Sequence, residues 1–222
     1  MYIKYSILLF IAGVIGLLSC KNNDNVFKPV TYTDLTVVNA TTDTINFYIN
    51  GTRQNNASSI YPGGAATHIP VLAGSQNFGV KKAGSSAVLL TVPITQTTQT
   101  YNSIYIAGET PDKVFHTTDT LVTDTLPYAT VRFVNAAPDA GNLTVTIGDT
   151  TFFKSSPFKS SSAFFLTGSG QKTIKVYQVG AATPKVDTIL TFQPGNAYTI
   201  FSRGLLNGKG TSALKVGLLL NL

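Results

Sequence analysis

The side chains able to carry out acid, base or metal chemistry are few. Two histidines, His68 and His116, one glutamate, Glu109, nine aspartates and a single thiol, Cys20, are the whole supply in 222 residues. His68 precedes Ile69 in an apolar stretch, where a histidine on a strand face is the ordinary role. No second histidine stands at metal-ligand spacing, and no Ser-His-Asp order is present. Gly168-Ser169-Gly170 leads into a β-rich run rather than a helix, so it is a hairpin turn and not a phosphate loop. A carboxylate pair for glycoside hydrolysis would have to come from the aspartates. Asp43 and Asp139 occupy equivalent loops, where an Asx-turn is the expected role. A calcium site at Asp139 would need further oxygens and usually a second carboxylate. The expectation is no catalysis, no cofactor and no metal.

Cys20 offers a different chemistry. A short start carrying Lys4 is followed by an apolar run, Tyr5 to Leu18, that ends in Leu17-Leu18-Ser19-Cys20. The run is shorter than the ~20 residues needed to span a bilayer and has the form of a signal-peptide core. The ending resembles the bacterial lipobox, where cleavage before the cysteine exposes a sulfur that takes a diacylglycerol. Residues 1–19 are thus expected to be a lipoprotein signal peptide, and residues 20–33 a lipidated tether with polar Lys21 to Asn25 at its start. Each buried acyl methylene contributes about 0.8 kcal/mol, so such an anchor holds a soluble domain on a membrane. The implied location is the cell envelope, as an outer-membrane lipoprotein facing the periplasm or the surface.

Five aspartates directly precede a threonine: Asp43-Thr44, Asp119-Thr120, Asp124-Thr125, Asp149-Thr150 and Asp187-Thr188. Two readings fit. The pattern resembles an O-glycosylation consensus of exported bacterial proteins, with Thr44, Thr120, Thr125, Thr150 and Thr188 as acceptors. Equally, a turn aspartate followed by a β-branched strand start gives the same text.

The elements that would position these residues are short strands. Leu35 to Asn39 and Ile45 to Ile49 are followed by the Asn50-Gly51 turn, and later runs of about five residues are separated by Gly and Pro turns. Val26 to Thr33 reads as a linker. The second half repeats the first: Val-Arg-Phe-Val-Asn-Ala-Ala-Pro-Asp, ending at Asp139, lies over Leu-Thr-Val-Val-Asn-Ala-Thr-Thr-Asp, ending at Asp43. Gly74, Phe78, Val80, Gly84 and Ile104 likewise lie over Gly170, Ile174, Val176, Gly180 and Ile200. A repeat this long is a duplicated domain rather than a solenoid. The expected class is all-β, with two tandem immunoglobulin-like antiparallel sandwiches at residues 34–126 and 127–222. Lys113 to His116 or Thr120 to Thr125 would close the first sheet, as Leu214 to Leu220 closes the second.

The segment Val131 to Ala140, with Ser156-Pro157-Phe158, Gly168 to Tyr177 and Gln193 to Ile200, resembles the bacterial domain of unknown function 4397. The resemblance covers nearly all of the second half and is weaker in the first. It implies an immunoglobulin-like sandwich, occurring in tandem in exported proteins, and no assigned chemistry. Where that family often has histidine after its first strand, this chain has Asn39 and Asn135.

Composition narrows the partners. Charged residues are 12% and the net charge is +6, with Lys81-Lys82 the longest cationic run, so no stripe for nucleic acid exists. The one cysteine cannot form an internal disulfide, and each half must hold itself by burying apolar side chains. Tyr61, Phe152, Phe153, Phe158, Phe164 and Phe165 cluster near the proline turns, most of them expected in the cores and a minority at a loop-end patch for a glycan or a partner, while the absence of tryptophan counts against a sugar-stacking platform. The functional expectation is a membrane-anchored structural or binding module of the envelope. The alternative is a carbohydrate- or peptide-binding accessory protein of an uptake system. A protein or glycan of the envelope would be the partner, beside the membrane itself.

Overall fold

The computed structural model describes residues 30–98, 100–119 and 126–221. The leader, Cys20 and most of the tether lie outside them, as do Thr120 and Thr125. No helix among the described residues is long and apolar enough to cross a membrane.

Among the described residues, sixteen strands form two copies of one eight-strand plan. The first copy holds β1 (Tyr32–Asn39), β2 (Ile45–Ile49), β3 (Thr52–Arg53), β4 (Ala65–Leu72), β5 (Gly74–Lys82), β6 (Leu90–Gln96), β7 (Tyr101–Ile106) and β8 (Val114–Asp119). The second holds β9 (Ala129–Asn135), β10 (Leu143–Ile147), β11 (Thr150–Ser156), β12 (Phe165–Thr167), β13 (Gly170–Gln178), β14 (Val186–Phe192), β15 (Ala197–Arg203) and β16 (Lys215–Asn221). The sheets run β4-β1-β7-β8 facing β3-β2-β5-β6, and β12-β9-β15-β16 facing β11-β10-β13-β14. Strand order is the same in both copies, as a duplication requires. Strand β8 closes the first sheet and contains the Val114 to His116 part of the expected Lys113 to His116 segment.

Two details differ from the sequence reading. The sandwiches are not wholly antiparallel, because β1 pairs with β7, and β9 with β15, in parallel. Alternation of apolar side chains reports which face is buried and is blind to strand direction. The first strand also starts within the expected linker, since Tyr32 and Thr33 pair with Leu72 and Val71.

Alternate residues of each strand fill the interior. Leu35, Val37, Ile45, Phe47, Phe78, Val80, Ile104 and Ile106 belong to the first core, where Phe47 stacks on Phe78 with centroids 5.3 Å apart. Val131, Phe133, Leu143, Val145, Ile174, Val176 and Ile200 belong to the second. Burying one such side chain contributes about 1.5–3 kcal/mol, and no disulfide is needed. The Asn50-Gly51 hairpin forms as expected, with φ of 47° and 84°.

A third apolar cluster joins the copies. Val38, Ala40, Tyr105 and Ala107 of the first pack with Val134, Ala136, Phe201 and Leu219 of the second. Val38 and Val134, Ala40 and Ala136, and Tyr105 and Phe201 are equivalent positions, so matching faces of the two copies meet. The Tyr105 and Phe201 rings contact edge to face at 6.0 Å.

Candidate functional site

On β1 the odd-numbered residues Leu35 and Val37 face the first core, so Tyr32, Asp34, Thr36 and Val38 face outward. The second copy covers that face at Val38 and leaves it open at Tyr32 and Asp34. What remains open is a groove of about 610 Å³ lined by Tyr32, Thr33, Asp34, His68, Pro70, Thr100 and Tyr101. Register explains the set: Asp34 lies between Pro70 on β4 and Tyr101 on β7. Tyr32 is 59% and Tyr101 41% exposed, so two phenol rings stand in solvent beside a carboxylate.

His68 arrives by a backbone irregularity. The β1–β4 register slips between Leu35 and Val37, and His68 takes φ of 56° within the bulge. Bulges commonly re-aim a side chain beside a site. Here Nδ1 of His68 lies 3.0 Å from Oδ2 of Asp34. Sequence placed His68 on a strand face; its aim at Asp34 comes from the bulge. Pro70 sits on edge strand β4, where its missing N–H is tolerated.

Inward, the groove narrows to a pit of about 20 Å³, the size of a water, bounded by Asn102, Asp119, Leu220 and Asn221. Asp119 is the partner of Arg132 across the junction of the copies, with side chains 12% and 3% exposed. Ser103 Oγ donates to the other oxygen of Asp119 at 2.6 Å. Arg132 Nε donates to Thr199 Oγ1 at 2.8 Å, its Nη1 donates to the Thr118 carbonyl at 3.3 Å, and the guanidinium lies 4.9 Å from the Phe164 ring centre. Both Asp119 oxygens are thus engaged, and Asp34 is engaged by His68. The two carboxylates share the pit without forming a free acid–base pair. Beside them, burial pushes the Tyr105 hydroxyl up to about 12; the hydroxyls of Thr117 and Thr199 approach it without making a well-formed hydrogen bond.

The asparagines at the family's histidine position have a structural task. Asn39 Nδ2 donates to the carbonyls of Asp43 and Ile60 at 2.7 and 2.8 Å, and its Oδ1 accepts from the Thr41 amide and hydroxyl. Asn135 Nδ2 donates to Gly141 and Ser156, while its Oδ1 accepts from the Ala137 amide and from Ser202 Oγ. Both are 0% exposed. The Asx-turn expected of Asp43 and Asp139 therefore belongs to Asn39 and Asn135, because an amide both accepts and donates with no buried charge. Asp43 instead pairs with Lys82 at 3.1 Å, and Asp139 accepts from the Leu206 amide at 3.0 Å. Glu109 and Asp43, in that order, raise the Lys82 pKa.

Of the proposed glycan acceptors, Thr150 is exposed at the start of β11. Thr44 is half-buried before β2, and Thr188 is half-buried within β14 opposite Ile174. Among the described residues no cluster of three or more potential ligands could hold a metal. His116 is exposed on β8. Of the aromatics expected in cores, Phe153 is buried, Phe152 packs on the second core and Phe158 on the shared cluster, whereas Tyr61 and Phe165 are exposed. Nothing in the sequence marks Tyr32, Asp34 or Tyr101 as site residues, and Asp119 stands out there only as a residue before threonine. Their meeting depends on a parallel strand pair that no local pattern announces.

Residues 129–216 match the family model described as Domain of unknown function (DUF4397), a span from β9 into β16. No curated protein matches the chain. Among solved structures, the carbohydrate-binding module CBMbc (family CBM26) of Amy13K from Eubacterium rectale, in complex with maltoheptaose, is 10% identical. That alignment covers 85% of this chain and 97% of the other, with a TM-score of 0.27. A Bacteroides eggerthii protein provisionally assigned to cell adhesion is also 10% identical, over 86% of this chain and 96% of its own, with a TM-score of 0.20.

Proposed function

We propose that this chain is a non-catalytic binding module of the cell envelope, exported, cut before Cys20 and held on the outer membrane by lipid on that sulfur. One observation carries the binding reading: the groove in which exposed Tyr32 and Tyr101 flank the Asp34–His68 pair. Exposed phenol rings offer flat apolar faces with a polar tip, and a carboxylate and an imidazole beside them orient hydroxyl groups. A saccharide chain, with apolar ring faces and peripheral hydroxyls, fits that combination. Engagement of Asp119 by Arg132 and Ser103 supports the absence of catalysis, because an acid–base carboxylate must be free to exchange a proton.

Retention of the full-length, detergent-solubilised protein on an array of oligosaccharides tests the reading. The wild type should be retained, and Tyr101→Ala and Asp34→Ala should each weaken retention about tenfold, the size of one lost ring contact or charged hydrogen bond. Equal retention of wild type and both variants would remove the groove from the account.

A further inference from the structure

We infer that the first sandwich carries a second saccharide site, on the outer face of sheet β3-β2-β5-β6, and that it takes a sugar bearing a carboxylate. This rests on the reading of the chain as a binding module but uses none of the groove's residues. The starting point is Gly79, in the middle of β5. Its backbone is ordinary, with no positive φ. A Cβ added there would meet only the Tyr48 Cβ, at 3.6 Å, a normal contact. Neither conformation nor space requires glycine. A mid-strand glycine weakens a strand, and one that architecture does not demand marks close approach by another molecule.

Gly79 lies between Tyr48 on β2 and Thr91 on β6. No atom of the Tyr48 ring lies within 4 Å of the added Cβ position, so the ring does not cover the glycine. The result is a hollow of about 420 Å³ whose floor is glycine backbone and whose walls include Tyr48, Asn77, Lys81 and exposed Val88. One cation stands over the tyrosine. Lys81 Nζ lies 4.9 Å from its ring centre and forms no ion pair among the described residues. Arg53, opposite Tyr48 in the β2–β3 pair, stands outside the lining of the hollow. A tyrosine ring beside a cation that has no carboxylate partner among the described residues matches a uronate: ring carbons against the part of Tyr48 that Lys81 leaves open, carboxylate toward Lys81.

The second copy is an internal control. In the same register Tyr48, Arg53 and Gly79 are replaced by Thr146, Thr151 and Lys175. The fold therefore accepts a long side chain at the glycine position, and the hollow belongs to the first copy alone.

The test prints uronate-containing oligosaccharides beside their neutral counterparts and applies the full-length protein, Gly79→Val, Tyr48→Ala and the groove variant Tyr101→Ala. The site predicts wild-type retention on uronate probes, at least tenfold less retention of Gly79→Val and Tyr48→Ala, and uronate retention unaffected by Tyr101→Ala. Gly79→Val should melt no lower than wild type, because valine suits a strand better, which separates loss of the site from loss of the fold. Absence of retention on every uronate probe, or equal retention of Gly79→Val, overturns the inference. If Tyr101→Ala abolishes all retention while Gly79→Val retains it, the groove stands and this second site does not.

Discussion

Arg132 is the residue on which the junction of the two sandwiches turns. Its guanidinium is buried, and its ion partner Asp119 belongs to the other copy. Replacing it with methionine leaves that carboxylate buried and unpaired, and stability should fall by about 3–5 kcal/mol in urea denaturation. A loss below about 1 kcal/mol would mean that the pair is exposed to water in solution. Tyr105 makes a pH-dependent prediction. Its folded-state pKa, raised to about 12 by burial, exceeds the unfolded value near 10, so its contribution is complete below pH 10 and is lost as pH rises to 12. Over that window wild type should lose about 2–3 kcal/mol more than Tyr105→Phe, measured by denaturation at stepped pH. Phenylalanine is the residue the second copy carries there, as Phe201, so the fold accepts it. At this scale the sequence was only partly legible. The duplicated asparagines were visible as a repeat, but whether they served chemistry or a turn depended on carbonyls up to 21 residues away. The Arg132–Asp119 pair has no signal in the sequence, where Asp119 stands out only as one of five aspartates before a threonine.

Among elements, β16 shows how closely the closing strands are fitted. A Cβ on Gly217 would fall 2.2 Å from Phe201 Cζ, within a ring that is 1% exposed and packed between the copies. Gly217→Ala should therefore displace that ring and lower stability by about 1–3 kcal/mol, seen as a shift in denaturation midpoint, whereas Gly51→Ala has open space but a φ of 84° and suffers from backbone strain instead. Strand positions were largely readable because one face of each is buried. Leu35 to Asn39 and Ile45 to Ile49 are legible as strands from their β-rich text, and Leu35, Val37, Ile45 and Phe47 of these fill the core. The parallel β1–β7 pair and the bulge at His68 were not readable, and these two features create the groove. Periodicity records burial along one strand; it holds no information on which neighbour that strand meets.

At the scale of the whole molecule, the internal repeat was the most informative feature of the sequence, and it foretold two sandwiches on one plan. It did not foretell that matching faces would pack together, because Val38 and Tyr105 read as ordinary strand residues until Val134 and Phe201 are seen against them. The proposed anchor makes a separate prediction. Intact mass of the protein from its native envelope should equal residues 20–222 plus three acyl chains and glycerol, and Cys20→Ala should remain unacylated with its leader uncut. Additional hexose increments would show glycosylation and peptide mapping would locate it, with Thr150 the exposed position among those described.

The most direct measurement of the central claim places a photo-crosslinking phenylalanine analogue at position 101 in the living cell, with position 179, exposed at the β13–β14 turn, as control. A module that binds saccharide in its groove predicts adducts from position 101 that periodate oxidation or glycosidase treatment shortens, and none from position 179. Equal capture from both positions, or adducts from position 101 that resist periodate and glycosidase, would contradict it.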